Sequence, residues 1–216
     1  MSGKKAKARR QAQRPQREPR PPWWSWKLGF SGLAVAAVIT ASFVLPDVLG
    51  TSTATTARAA GSGLAVGTTV PAFSERDVSS GAAITSRSLT GQTTLLFFSE
   101  GVMCQACFEQ IKGLERLKGE LEGRGIKLVS VTPDSPAELT QAISQYGIKT
   151  PMIADDNRDM SRAFDVLGQG MHGDTPGHAF VLVKRGVVLW YRDYWLAPTR
   201  TMYVPPAQVL ADLPAS

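Results

Sequence analysis

Cysteine is almost absent from this chain: 216 residues contain two, Cys104 and Cys107. With no other cysteine available, a tetrahedral thiolate zinc site cannot be completed. Histidine is equally scarce, with His172 and His178 alone. Acidic residues are missing from the first 27 positions except for Glu18, while nine lysines and arginines crowd there. The other fifteen basic residues meet seventeen acidic ones, so the net charge of +6 belongs to a tail and the body is mildly acidic. That distribution argues against nucleic acid as a partner. No internal repeat divides the chain, and its length fits one or two ordinary domains.

One long apolar run is present. Leu28 to Leu45, "LGFSGLAVAAVITASFVL", holds eighteen residues without a charge, close to the ~20 that cross a bilayer. Trp23, Trp24 and Trp26 stand at its mouth, as an interfacial aromatic belt would. The Pro-, Gln- and Arg-rich tail over 1–27 has no apolar periodicity and is expected to be disordered. Basic residues before a span stay in the cytoplasm, which puts everything beyond it outside. A cleaved signal peptide is the alternative, since Ala57-Arg58-Ala59 is an A-x-A-like site. That site lies about a dozen residues past the run, and the run is long for a signal h-region. We therefore expect an uncleaved anchor over 28–48 and a flexible small-residue linker over 49–66. A single extracytoplasmic domain then covers 67–216 of a single-pass cell-membrane protein.

Within that domain, Val70 to Val78 reads as an extended entry. "TTLLFF" (Thr93 to Phe98) is a short apolar run suited to a buried strand. Phe108, Ile111, Leu114, Leu117 and Leu121 recur at helical spacing, and Gly123 and Gly125 end that helix. "IKLVSV" (Ile126 to Val131) is a second strand. Ser135-Pro136-Ala137-Glu138 is a capping box with proline in the first turn, and Gly147 closes its helix. "PMIADD" predicts a strand, and a helix follows over Met160 to Leu167. "HAFVLV", a tight turn at Lys184-Arg185-Gly186 and "VVLWYRDY" predict a hairpin. A last helix is expected over Pro206 to Leu213. Strands alternating with helices, then a closing hairpin, imply an α/β sandwich with a central mixed sheet flanked by helices.

The cysteines fall where the first long strand ends and a helix begins, the edge at which open α/β sheets form sites. Cys104 at the helix amino terminus would have its thiolate stabilised by free N–H groups and the helix dipole. Cys107, one turn on, lies on the same face and within disulfide reach. These positions make Cys104 the candidate nucleophile and Cys107 the resolving thiol of an exchange reaction. A static disulfide or two inert buried thiols is the structural alternative.

"VGTTVPAFSERD", "LTGQTTLLFF", "LVSVTPDSPAELTQAISQYGIKTPMIADDNRDMSRAFDVLG" and "HAFVLVKRGVVLWYRDY" resemble, in order, the peroxiredoxin and thiol-specific antioxidant branch of the thioredoxin fold. The match runs from Val66 to about Tyr194. It implies a thioredoxin-like domain acting on thiols, disulfides or peroxides, with no cofactor. Peroxidatic sites in that family place Pro and Thr or Ser ahead of the cysteine, the Thr or Ser three positions before it. An arginine later in the fold helps polarise the peroxide. Here "SEGVMC" has no proline, Gly101 stands three before Cys104, and "DTPGHAF" carries no arginine ahead of the hairpin strand. Thioredoxin-like oxidoreductases instead pair C-x-x-C with a proline before the hairpin strand. By that resemblance Pro176 is the candidate, and the backbone of Thr175 would bind the substrate chain.

His172 and His178 flank this proline, and either could line the cleft and tune Cys104. The alternative for both is an ordinary loop or strand-start residue. Glu100 is a candidate proton acceptor for Cys107, or else a solvated loop carboxylate. Trp190, Tyr191, Tyr194 and Trp195 read as hairpin packing, or as an apolar rim for a partner. "GVMCQACFEQI" also resembles the heavy-metal-associated motif, whose paired thiolates suit Cu(I). Such modules are about half this size, and the order of elements after Cys107 is thioredoxin-like, so no metal site is assigned. The expected partners are protein thiols and disulfides, or a small thiol or peroxide substrate. The membrane is expected through the N-terminal helix, with a membrane-bound electron donor as a further candidate.

Overall fold

The computed structural model describes residues 62–196 and 198–214. The expected tail, anchor and most of the linker lie outside them. Among the described residues no helix is long and apolar enough to cross a membrane. Gly63 and Leu64, expected within the linker, lie against the domain. Gly63 N–H donates to the Asp165 carbonyl at 2.8 Å, and Leu64 packs on the core.

The elements are β1 (Ser74–Arg76), β2 (Ala83–Thr85), β3 (Thr93–Phe98), α1 (Gln105–Arg116), α2 (Lys118–Gly123), β4 (Ile126–Thr132) and α3 (Pro136–Tyr146). Then come β5 (Met152–Ala154), α4 (Asp159–Ala163), β6 (Ala179–Lys184), β7 (Val187–Asp193) and α5 (Pro206–Asp212). Short 3-10 turns at Ser88–Gly91 and Gly101–Met103 flank β3. The main sheet has the order β5-β4-β3-β6-β7, while β1 and β2 form a small antiparallel pair. β3 runs parallel to β4 and antiparallel to β6, so the sheet is mixed and β3 is central.

That central place explains the unbroken "TTLLFF". Leu95 and Phe97 face a core shared with α1, α3 and α5, whereas Leu96 and Phe98 face a second core closed by α4. A strand buried on both faces has no polar side to alternate with. Phe97 and Phe98 are fully buried, each contributing about 2–3 kcal/mol of burial free energy. Layers of helix on both faces of the sheet make this the expected thioredoxin-like α/β sandwich.

Local sequence signals account for most boundaries. The Ser135–Glu138 capping box forms, and Gly147 ends α3 at φ 62°. Arg185 and Gly186 take positive φ (54° and 75°), the two-residue turn that matches the twist of a hairpin. Two helices differ from expectation. The apolar spacing from Phe108 to Leu121 predicts one helix, but it breaks at Leu117, where φ is −99° and ψ 16°. Leu114, Leu117 and Leu121 stay packed through the break, so their spacing does not register it. The helix expected to reach Leu167 ends at Ala163, because Asp165 turns to φ 55°. That turn lets both Phe164 and Val166 point into the second core.

Candidate active site

β3 delivers Ser99 and Glu100 to the carboxyl edge of the sheet, and the 3-10 turn Gly101–Met103 carries the chain to Cys104. Gly101 sits at φ 72°, and a Cβ there would overlap the Asp134 carboxylate. Both requirements select glycine. The Asp134 oxygens accept the Val102 N–H at 3.0 and 3.1 Å and hold the turn from the end of β4. Burial raises the Asp134 pKa, opposed by the hydrogen bonds it accepts.

Cys104 caps α1, and its Sγ accepts the Cys107 N–H at 3.2 Å. The two are disulfide-bonded with Cα atoms 5.3 Å apart. Cys104 keeps 4 % exposure and Cys107 none. The outer sulfur at the helix terminus is therefore Cys104.

His178, at the start of β6, is completely buried and touches Cys107, with Nδ1 4.0 Å from its Sγ. Expectation had set a histidine beside Cys104, but the imidazole reaches the inner sulfur instead. Phe97 and Phe180 present ring contacts at 4.7 and 5.5 Å to the imidazole. Desolvation in this apolar cage pushes the His178 pKa down to about 3, leaving the ring neutral at ordinary pH. Its Nε2 lies 3.2 Å from Gln110 Oε1, and its backbone N–H donates to Asp193 Oδ1 at 3.1 Å.

Glu100 is neither a solvated carboxylate nor a partner of Cys107. It is 1 % exposed, and its contacts run to the loop before β6. Oε1 accepts the backbone N–H groups of Met171 and His172, and Oε2 lies 2.8 Å from His172 Nδ1. Glu100 thus staples that loop. The hydrogen bonds found for its carboxylate all run to that loop and none to the sulfurs. Thr175 belongs to the same staple: its hydroxyl contacts Glu100, and its carbonyl accepts the Gly170 N–H at 3.0 Å. Pro176 is buried in the stretch that leads into His178. The expected candidates thus divide, with Cys104, Cys107 and His178 in direct contact and Glu100, Thr175 and His172 forming the adjoining loop clamp. The hairpin aromatics are packing residues: Tyr194 is buried, and Trp190 and Trp195 lie against the first core.

Three residues with roles here were not singled out from the sequence. Gln110 lies three positions after Cys107, a spacing that shares its helix face. Asp134 stands in the "SVTPDSP" stretch that carries the family resemblance. Asp193 ends β7, and its carboxylate packs where a Cβ on Gly177 would otherwise stand. Burial raises the Asp193 pKa. Among the described residues no group of three His, Cys, Asp or Glu side chains is arranged to hold a metal ion.

The family model for AhpC/TSA proteins matches residues 66–191. The chain belongs to the AhpC/TSA family. A Haemophilus influenzae protein assigned as the peroxiredoxin bcp is 26 % identical over 106 residues, covering 49 % of this chain and 68 % of that one. The thiol-disulfide oxidoreductase ResA of Halalkalibacterium halodurans is 28 % identical over 88 residues, 40 % of this chain. The match spans about half of the ResA protein, 49 % of its length. Among solved structures, the peroxidoxin BcpB of Mycobacterium tuberculosis superposes with a TM-score of 0.56 at 17 % identity, covering 68 % of this chain and 94 % of that one. Enterococcus faecalis AhpC gives 0.57 at 18 % identity, covering 68 % and 89 %. These superpositions establish the thioredoxin-like fold. Its peroxiredoxin and thiol-disulfide oxidoreductase relatives set this AhpC/TSA member among the oxidoreductases.

Proposed function

We propose that this AhpC/TSA protein is a membrane-tethered, extracytoplasmic thiol–disulfide oxidoreductase that reduces or exchanges disulfides in proteins. Cys104 is the nucleophile, Cys107 the resolving thiol, and the 28–48 segment the anchor. The observation that carries this reading is the sulfur pair itself, bonded across the first turn of α1 with Cys104 outermost and receiving a helix N–H. Such a donor at a helix terminus favours the thiolate needed for attack. Attack on a substrate disulfide gives a mixed disulfide, which Cys107 resolves.

The surroundings support a polypeptide substrate. Val102, Met103, Met171 and Tyr203 are all exposed apolar side chains. Val102 and Met103 immediately precede Cys104, Met171 sits on the loop held by Glu100, and Tyr203 flanks Gln105 and Ala106 in an open depression. Methionine-rich apolar surfaces adapt to varied partner segments. Thr175 and Pro176 lie at the base of that loop.

The bcp relative favours a second reading, reduction of hydroperoxides by the same cysteines. Against it, the position three before Cys104 needs positive φ and no Cβ, so the Thr or Ser of a peroxidatic loop does not fit there. Insulin reduction by dithiothreitol separates the two. The full-length protein is expected to accelerate precipitation and Cys104→Ser is not. A wild type no faster than buffer that consumes hydroperoxide would move the assignment to peroxidase.

A further inference from the structure

A buried line of contacts runs from the backbone of Val204 to the Cys107 sulfur. The Val204 N–H donates to Gln110 Oε1 at 2.7 Å. A backbone N–H can only donate, so the Gln110 atom facing it is the oxygen, and the amide orientation is settled. The same Oε1 lies 3.2 Å from His178 Nε2. That oxygen has no proton to give, so Nε2 carries the proton and donates it. A neutral imidazole has one N–H, which leaves the lone pair on Nδ1, the nitrogen 4.0 Å from Cys107 Sγ. Gln110 and His178 are both fully buried, so water does not compete for either nitrogen.

The geometry points to His178 as the proton acceptor for Cys107, with Gln110 as the residue that positions it by fixing its tautomer. This rests on the exchange reading above. In the reduced protein Cys107 carries S–H. Once Cys104 is joined to a substrate sulfur, the Cys107 proton passes to His178 Nδ1 as Cys107 Sγ attacks Cys104 Sγ. The Cys104–Cys107 bond forms and the Cys104–substrate bond breaks. The electron pair leaves on the substrate sulfur, which takes the proton back from the ring. Two protein thiols become one disulfide, and one substrate disulfide becomes two thiols. The apolar cage disfavours a standing imidazolium, so the ring takes the proton only as the sulfur–sulfur bond forms and does not hold it as a separate intermediate. Other ionisable residues beside His178 engage its backbone. Asp193 accepts its N–H, and Tyr194 donates its own N–H to the His178 carbonyl while its phenol turns to Asp212.

Dithiobis-nitrobenzoate, which releases one coloured thiolate per exchange, resolves the two steps in a stopped-flow experiment on the reduced full-length protein. The first burst reads Cys104 attack and the second reads ring closure by Cys107. His178→Gln, which keeps a donor toward Gln110 but has no base, is expected to slow the second burst about 10²-fold at about pH 7 and leave the first unchanged. With the ring gone, removal of the Cys107 proton falls to hydroxide, so the second burst of His178→Gln is expected to speed up with pH and its deficit against wild type to narrow toward about pH 10. Gln110→Leu is expected to slow the second burst and to lose the Nε2–H tautomer in ring-nitrogen NMR. Gln110→Glu keeps an acceptor for both donors and preserves both signals, so the Gln110 pair decides even if His178→Gln folds poorly. An unchanged second burst in His178→Gln at about pH 7 overturns the proposal, as does slowing that persists equally at about pH 10. A wild type that gives no second burst fails earlier: it removes the exchange reading itself and this proposal with it.

Discussion

Gly101 and the Asp134 carboxylate stand so close that no Cβ fits between them, and this contact shapes the turn that presents Cys104. The backbone at φ 72° adds its own demand for glycine. Gly101→Ala is therefore expected to destabilise the domain by about 2 kcal/mol or more, from left-handed strain plus displacement of Asp134. Gly119 is the control, since it lies in α2 with open space around it. There, Gly119→Ala is expected to stabilise by about 0.5–1 kcal/mol. Denaturant midpoints at constant m-value measure both. Equal effects at the two sites would contradict the account of the turn.

The neutral, caged His178 makes stability pH-dependent with a definite sign. Its folded pKa is about 3 against an unfolded 6.5. Between those values the unfolded chain binds a proton that the folded chain refuses, so stability is lost as pH falls through this window. The slope from this one group is at most about 1.4 kcal/mol per pH unit. Asp134 and Asp193, with raised pKa values, act in the opposite direction, stabilising the fold as pH falls toward their protonation. The difference between wild type and His178→Gln isolates the histidine. Unfolding midpoints across this range should converge as pH falls, and parallel curves would contradict a buried neutral imidazole.

Glu100 holds its loop through buried acceptor oxygens. Glu100→Leu leaves the Met171 and His172 amides without that acceptor. Each amide left without its partner costs about 1–3 kcal/mol if it stays buried, so the loop is expected to open locally instead. Hydrogen exchange at these two amides should speed up while exchange in β3 and β6 holds steady. Unchanged exchange at Met171 would contradict the staple.

The apolar rim predicts a split between substrates. Met103→Ser and Tyr203→Ser should raise KM for insulin several-fold and leave reaction with a small aromatic disulfide unchanged. Removal of uniform binding affects KM rather than kcat. Equal loss on both substrates would place these residues in packing rather than docking.

Signals carried within a few residues were legible in the sequence. β3 begins and ends where the apolar run does, the capping box at Ser135 forms, and the Arg185-Gly186 turn follows from its residues. The break at Leu117 and the early end of α4 escaped because apolar spacing continues through both. At the site, the cysteine spacing and the strand-to-helix position were readable, as was His178 as a candidate. Its true neighbour was not, since Cys107 and His178 lie 71 positions apart. Gln110 meets Val204 across 94 positions, and Val102 meets Asp134 across 32. Nothing local marks a glutamine on a helix as the residue that orients a distant imidazole. Glu100 misled for the converse reason: its neighbours in sequence suggested the sulfurs, whereas its hydrogen bonds run to a loop 71 residues on.

The central claim is that Cys104 attacks substrate disulfides and Cys107 resolves the product. Trapping tests it most directly. Full-length Cys107→Ser, reduced and mixed with insulin, should accumulate a covalent mixed disulfide that mass spectrometry maps to Cys104. The Cys104→Ser protein should form none at Cys107, which is fully buried. Adducts formed equally through either cysteine, or through neither, would contradict the assignment.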